Sequence, residues 1–194
     1  MKSFLLLLVG AAFLSACSGG NHSAPRNLDN ACLLAQERPH YFSAMEQAER
    51  RWGVPVPVQM ATFYQESRFV GDARPPHEYA LGIIPMGRMS SAYGYSQALD
   101  GTWEEYLQET GRRFARRTDM DDAADFMGWY MTLSQERNGI PLNDARNQYL
   151  AYHEGHAGFR RGSYNAKSWL LRVADNVADR ALTYELQLIS CDRR

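Results

Sequence analysis

From residue 39 onward, apolar positions recur at three- and four-residue steps, a spacing that predicts helices. Pro39 suits a first helical turn. Phe42, Met45, Ala48 and Trp52 follow it until Gly53 stops the run. Val54-Pro55-Val56-Pro57 predicts an extended elbow. A second helix over about 58–68 carries Met60, Ala61, Phe63 and Tyr64. Between Gly71 and Gly94 the periodicity lapses among Pro75, Pro76, Gly82, Pro85 and Gly87. So long an irregular stretch inside a compact domain is usually functional or holds a short element. Asp100 is the expected N-cap of a helix reaching about residue 112, with Glu104 and Glu105 in the following turn. The next helix starts near residue 121, carries Phe126, Trp129, Tyr130 and Leu133, and ends at Gly139. Asn143 is the expected cap of a helix through Tyr149, Leu150 and Tyr152. The last helix, about 166–189, places Leu170, Val173, Ala174, Val177, Ala181, Tyr184 and Leu188 on one stripe. Period-two runs are scarce. The pattern predicts one mainly α domain, with a small β-hairpin or an irregular insertion in the 71–96 region.

The first residues follow a different rule. Lys2 precedes an apolar run from Phe4 to Phe13, the layout of a secretory signal and too short for a stable span. Leu14-Ser15-Ala16-Cys17 resembles a bacterial lipobox, in which Cys17 would become the lipidated first residue of the mature chain. Acyl chains attach firmly, because each buried methylene contributes about 0.8 kcal/mol. Ser18 after the cysteine favours the periplasmic face of the outer membrane over retention at the inner one. The expected organisation is therefore a signal peptide over 1–16, a lipidated cysteine and flexible tether over 17–30, and a folded domain over 31–194.

Charge adds little. The whole chain carries −1, and loss of Lys2 with the leader makes the mature protein −2. No basic excess points to nucleic acid. The 11 Tyr and 4 Trp are enough to line a sugar cleft, although aromatic side chains more often fill cores. With Cys17 committed to lipid, Cys32 and Cys191 remain at opposite ends of the domain. In an oxidising periplasm they suggest a disulfide clasp, the alternative being two buried thiols.

The candidate chemistry lies in three segments. Tyr64-Gln65-Glu66-Ser67-Arg68-Phe69 ends an apolar helix, where a carboxyl at the core edge is desolvated and its pKa raised. Such an acid stays protonated near neutral pH, as a proton donor to a glycosidic oxygen must. Gly94-Tyr95-Ser96-Gln97 follows the irregular stretch, and Ala151-Tyr152-His153-Glu154-Gly155 comes later. In this order they resemble the lytic transglycosylase catalytic domain of the lysozyme-like superfamily. That family reads Glu-Ser-x-aromatic, then Gly-x-x-Gln, then Ala-Tyr-Asn-x-Gly. Tyr95 and Ser96 stand where Leu and Met are more usual, and His153 replaces the Asn. The resemblance spans roughly residues 40–185.

The resemblance implies a helical lysozyme-like fold and cleavage of peptidoglycan between N-acetylmuramic acid and N-acetylglucosamine. Glu66 would be the acid/base, and the product would carry a 1,6-anhydro end. Ser67 would support Glu66. Gln97 and Tyr152 would be cleft residues holding the sugars or Glu66, with Tyr95 and Ser96 as lesser candidates for sugar contact. The partners expected are glycan strands and a membrane reached through the lipid. Two alternatives stay open. A hydrolytic muramidase would need a second carboxylate, for which Asp72, Glu78 and Glu154 are available. A peptidoglycan-binding lipoprotein would need none. No metal or cofactor is expected: His153-Glu154-Gly155-His156 lacks the His-Glu-x-x-His spacing and a third ligand. Arg112, Arg113, Arg116 and Arg117 read as a solvated helix terminus, with attraction to acidic polymers as a minor reading.

Overall fold

The structure is a computed structural model that describes residues 22–80 and 84–192. The predicted signal peptide and Cys17 lie outside the described residues. Among the described residues seven helices and one hairpin follow in chain order: α1 (Ala31–Glu37), α2 (Pro39–Trp52), α3 (Val56–Ser67), β1 (His77–Ala80), β2 (Ile84–Arg88), α4 (Asp100–Thr110), α5 (Met120–Asn138), α6 (Ala145–Arg160) and α7 (Ser168–Ser190). A 3₁₀ turn over Ser163–Ala166 joins the last two. The two strands pair antiparallel, with a register irregularity between Glu78 and Tyr79. The mainly helical single domain expected from the apolar spacing is thus present, with a hairpin in the 71–96 region. Among the described residues no helix is long and apolar enough to cross a membrane.

Local chemistry explains most boundaries, including those that depart from expectation. Helix α1 was hidden because seven residues give no usable period; Asn30 starts it by accepting from the Leu33 N–H at 3.0 Å. Helix α3 begins at Val56, inside the expected elbow, because Pro57 fits a first turn as readily as an extended segment. Asp144, not Asn143, caps α6 by accepting from the Asn147 N–H at 3.0 Å. Asp100 is the first residue of α4 and not its cap; its carboxylate binds Arg117 at 2.6 Å. The segment expected to be a free tether up to residue 30 is docked from His22 onward. The Gly71 N–H reaches the His22 carbonyl at 2.9 Å, the Tyr184 hydroxyl donates to the Leu28 carbonyl, and Arg180 pairs with Asp29 at 2.8 Å.

Two apolar clusters organise the helices. The larger gathers Leu34, Met45, Met60, Phe63, Met127, Leu150, Leu170 and Tyr184 where α2, α3, α5, α6 and α7 meet. The smaller is aromatic and packs α4 on α5 through Trp103, Tyr106, Phe126, Trp129 and Tyr130. Helices α2 and α5 approach closely because position 128 is glycine: a Cβ there would lie 2.5 Å from Trp52 Cδ1. Beside it, the buried Asp125 carboxylate accepts from Arg51 (3.0 Å), Trp52 Nε1 (3.0 Å) and the Tyr106 hydroxyl (2.7 Å). A buried charge is tolerable when its oxygens are satisfied in this way. Cys32 and Cys191 form the expected disulfide, with Cα atoms 6.3 Å apart, and join the start of α1 to the end of α7.

Two outcomes follow. Gly128→Ala forces Trp52 aside and should cost about 1–3 kcal/mol, measurable in urea denaturation with m unchanged. Cys32→Ser with Cys191→Ser opens a loop whose closure is worth up to about 5 kcal/mol in the chain-entropy account, so the melting temperature should fall sharply.

Candidate active site

Glu66 is the penultimate residue of α3, and the chain turns away immediately after it. Arg68 and Phe69 both take left-handed conformations (φ 51° and 60°), which cost a non-glycine residue roughly 1–2 kcal/mol each. What offsets the cost is the burial of Phe69, fully enclosed and stacked on Tyr41 with ring centroids 6.3 Å apart. Ser67 is also buried, and its hydroxyl is spent on the Phe63 carbonyl at 3.3 Å. Ser67 thereby supports the last turn from which Glu66 projects. Glu66 itself keeps some exposed surface, yet its carboxyl is crowded by protein. Desolvation raises its pKa to about 7, against a hydrogen bond from Tyr149 that works to lower it. Among the described residues no cation and no second carboxylate sets this value.

Helix α6 brings two tyrosines to Glu66 from adjacent positions on one face, three residues apart. Tyr149 is buried and donates its hydroxyl to the carboxylate. Tyr152 lies close enough for the Glu66 charge to act on it, and its own hydroxyl donates to the Ser96 carbonyl at 2.6 Å. Burial, ahead of the Glu66 charge, pushes both phenols above their usual range. The end of α3, the 94–97 segment and α6 therefore converge. Tyr149 is the functional side chain that sequence reasoning missed: it stands in the apolar stripe of its helix, and only its spacing from Tyr152 could have singled it out.

The 94–97 segment is held from three sides. Gly94 takes φ 81°, and a Cβ there would lie 2.1 Å from the Arg117 carbonyl oxygen, so no other residue fits. Gln97, also left-handed (φ 49°), donates its amide to the Ala73 (2.9 Å) and Gly94 (2.7 Å) carbonyls. With both amide hydrogens used, its Oε1 is left as an acceptor. Gln97 and Tyr152 line one groove of about 210 Å³ together with Leu99, Thr102, Phe126 and Tyr130. Tyr95 and Ser96, expected to touch sugar, do not face it. Tyr95 is buried with its hydroxyl 2.6 Å from that of Tyr41, and Ser96 is fully enclosed. Alternate side chains of so short a segment cannot all face one way, and these two hold it from behind. A larger cavity, about 450 Å³, opens beside Tyr64, Gln65 and Arg180, on the neighbouring face of α3; it does not include Glu66.

The remaining candidates are structural. Gly155 (φ 72°, ψ 156°) breaks α6, and Glu154 beside it lines the groove. The Glu154 carboxylate bonds Lys167 Nζ at 2.6 Å, His153 Nδ1 at 3.1 Å and the Ser163 hydroxyl. Burial works to raise its pKa, but these bonds outweigh burial and hold it at about 2. Asp72 is exposed, and the Glu78 side chain lies outside the described residues. His156 stacks on Tyr130 at 4.3 Å, between Arg137 (3.2 Å to Nδ1) and Ser134 (3.0 Å to Nε2). Burial and Arg137 lower its pKa. A neutral ring accepting at Nδ1 and donating from Nε2 satisfies all three groups. The arginines are not a bare terminus: Arg112 binds Asp122 and Asp125, and Arg117 binds Asp100 and the Ala98 carbonyl.

Glu66 is thus a desolvated carboxylic acid on a helix end with the phenols of Tyr149 and Tyr152 beside it, an arrangement able to give up a proton near neutral pH. The chain belongs to the family described as Transglycosylase SLT domain, whose model matches residues 5–191. It is accordingly a lytic transglycosylase acting on peptidoglycan, a lyase-type glycan-cleaving enzyme. No curated protein and no solved structure matches the chain.

Tyr149→Phe removes the one hydrogen bond that favours the ionised form of Glu66. The Glu66 pKa should rise by up to about one unit. The alkaline limb of kcat/KM against pH should therefore move upward, while a merely structural role would lower activity at every pH alike.

Proposed function

We propose that Glu66 alone performs both proton transfers of a transglycosylation. As general acid it donates its proton to the oxygen linking N-acetylmuramic acid to N-acetylglucosamine, and the bond from that oxygen to the muramic anomeric carbon breaks. As base it then takes the proton of the muramic 6-hydroxyl, whose oxygen closes on the same carbon. The proton count balances without water, and the product is a 1,6-anhydro end. A nucleophile carried by the substrate itself needs no positioned water. The Oε1 of Gln97 and the groove face of Tyr152 hold the sugars.

One observation carries this reading: the carboxyl stands without a charged partner, with its pKa near neutrality. Hydrolysis would ask for a second free carboxylate. Glu154, the nearest of the sequence candidates to the groove, is already neutralised by Lys167. A purely binding role leaves the desolvated acid without a purpose. We also read Cys17 as lipidated and the enzyme as held at the periplasmic face of the outer membrane, supported by the lipobox pattern alone.

Mass spectrometry of muropeptides from purified sacculi tests the chemistry. Anhydro ends, one water lighter than hydrolysis products, are expected from wild type, and reducing ends would overturn the proposal. Glu66→Gln should lower activity by at least about a thousandfold, in the upper part of the usual contribution of one acid/base group because both steps use it.

The pH dependence has a fixed sign. The acid form is the proton donor, so kcat/KM should fall as pH rises through about 7. The same raised pKa makes the ionised form costly to the fold, so stability is lost between the unfolded value near 4.5 and about 7. Glu66→Gln should therefore stabilise the protein at pH 8 by up to about 3 kcal/mol, at about 1.4 kcal/mol per unit, and much less at pH 5. Calorimetry at the two pH values checks it.

A further inference from the structure

One face of the molecule is unused by this chemistry. Among the described residues the β1–β2 hairpin packs on no other element, an unstable arrangement for two strands in water. It exposes Met86 (66 %) and Met89 (65 %). Phe114, in the loop between α4 and α5, is 95 % exposed, the most extreme exposure of a large apolar side chain among the described residues. Hairpin and loop are tied together. The Tyr93 ring lies between the guanidinium groups of Arg74 (3.8 Å) and Arg117 (5.5 Å). Arg117 also donates to the Ser91 carbonyl at 3.2 Å and accepts from the Tyr95 N–H at 3.2 Å.

The face is basic in an otherwise slightly acidic chain. Residues 72–90 and 111–117 contain six arginines against Asp72 and Glu78. Arg112, Arg116 and Arg117 are engaged with Asp122, Asp119 and Asp100, whereas Arg74, Arg88 and Arg113 are exposed and pair with no carboxylate among the described residues. Apolar tips among exposed arginines are the composition of a membrane-surface contact. The other exposed apolar stripe, Leu182 and Leu186 on α7, is flanked by Glu185 and lacks that complement.

A second observation points the same way. His22 docks against Gly71, at the foot of the hairpin segment, and shares a cavity with Tyr95, Thr118 and Asp119. Cys17 precedes His22 by five residues, a reach of at most about 18 Å. A lipid on Cys17 therefore brings this side of the domain to the bilayer.

We propose that the face formed by the hairpin and the 111–117 loop rests on an anionic phospholipid surface. Phe114, Met86 and Met89 enter the headgroup layer, and the exposed arginines meet phosphates. The proposal rests on the reading of Cys17 as lipidated. The lipidated full chain, carrying a fluorophore at Phe114→Cys or, as a control, at Leu182→Cys, is reconstituted on phosphatidylethanolamine–phosphatidylglycerol vesicles. The label at 114 should be quenched by brominated acyl chains and be about fivefold less open to iodide than the label at 182. Exchanging phosphatidylglycerol for phosphatidylcholine should weaken that protection. A chain that stays in solution overturns the lipidation and the docking with it. A chain that floats with vesicles, yet shows equal iodide access at both positions, overturns the docking alone. Protection at 114 that appears only on adding sacculi assigns the face to the wall and also overturns the proposal.

Discussion

The withdrawal of one carboxyl from water, with no positive charge beside it, is the constraint on which the remaining architecture depends. Leaving a carboxylate in such a place is unfavourable, so the surroundings must be firm enough to prevent its escape to solvent. Phe69 locks the chain directly after it, Tyr149 supplies its hydrogen bond, and Tyr152 is fixed to the 94–97 segment through the Ser96 carbonyl. Strain at Arg68, Phe69 and Gln97 gathers around the same point. Non-glycine residues in the left-handed region persist where neighbouring contacts over-determine them, commonly at working sites.

Asp125 makes the contrast plain. It too is a buried acid, but four donors surround it and two of them are arginines. Glu154 is a third solution, ionised against a lysine. Glu66 and Glu154 are thus pushed in opposite directions because their donor sets differ: Lys167 beside one holds it ionised, and the other, deprived of cations, is raised.

The helices were legible because their apolar spacing is regular, and Glu66 was legible because an acid at the end of an apolar helix is chemically odd. Gln97 and Tyr152 were placed by the ordered motifs, and both line the groove. Tyr149 was not legible: a buried phenol that orients an acid has the same spacing as one that fills a core. Tyr95 failed in the opposite direction, since which side of a short segment faces solvent depends on what packs behind it, here Tyr41. The docking of residues 22–30 was hidden because polar, punctuated sequence reads as a free linker, while its partners Gly71, Arg180 and Tyr184 are remote in the chain. The arginines after α4 read as solvated because their acceptors Asp100, Asp122 and the Ala98 carbonyl come together only in the fold.

The bond between Cys32 and Cys191 spans nearly the whole domain. Its second sulfur directly follows α7 in the chain, so this bond cannot close before α7 has been made. The clasp is consequently a mark of completion. A chain cut short between Tyr152 and Cys191 retains Glu66 and its tyrosines, yet leaves Cys32 an unmatched thiol, open to disulfide exchange.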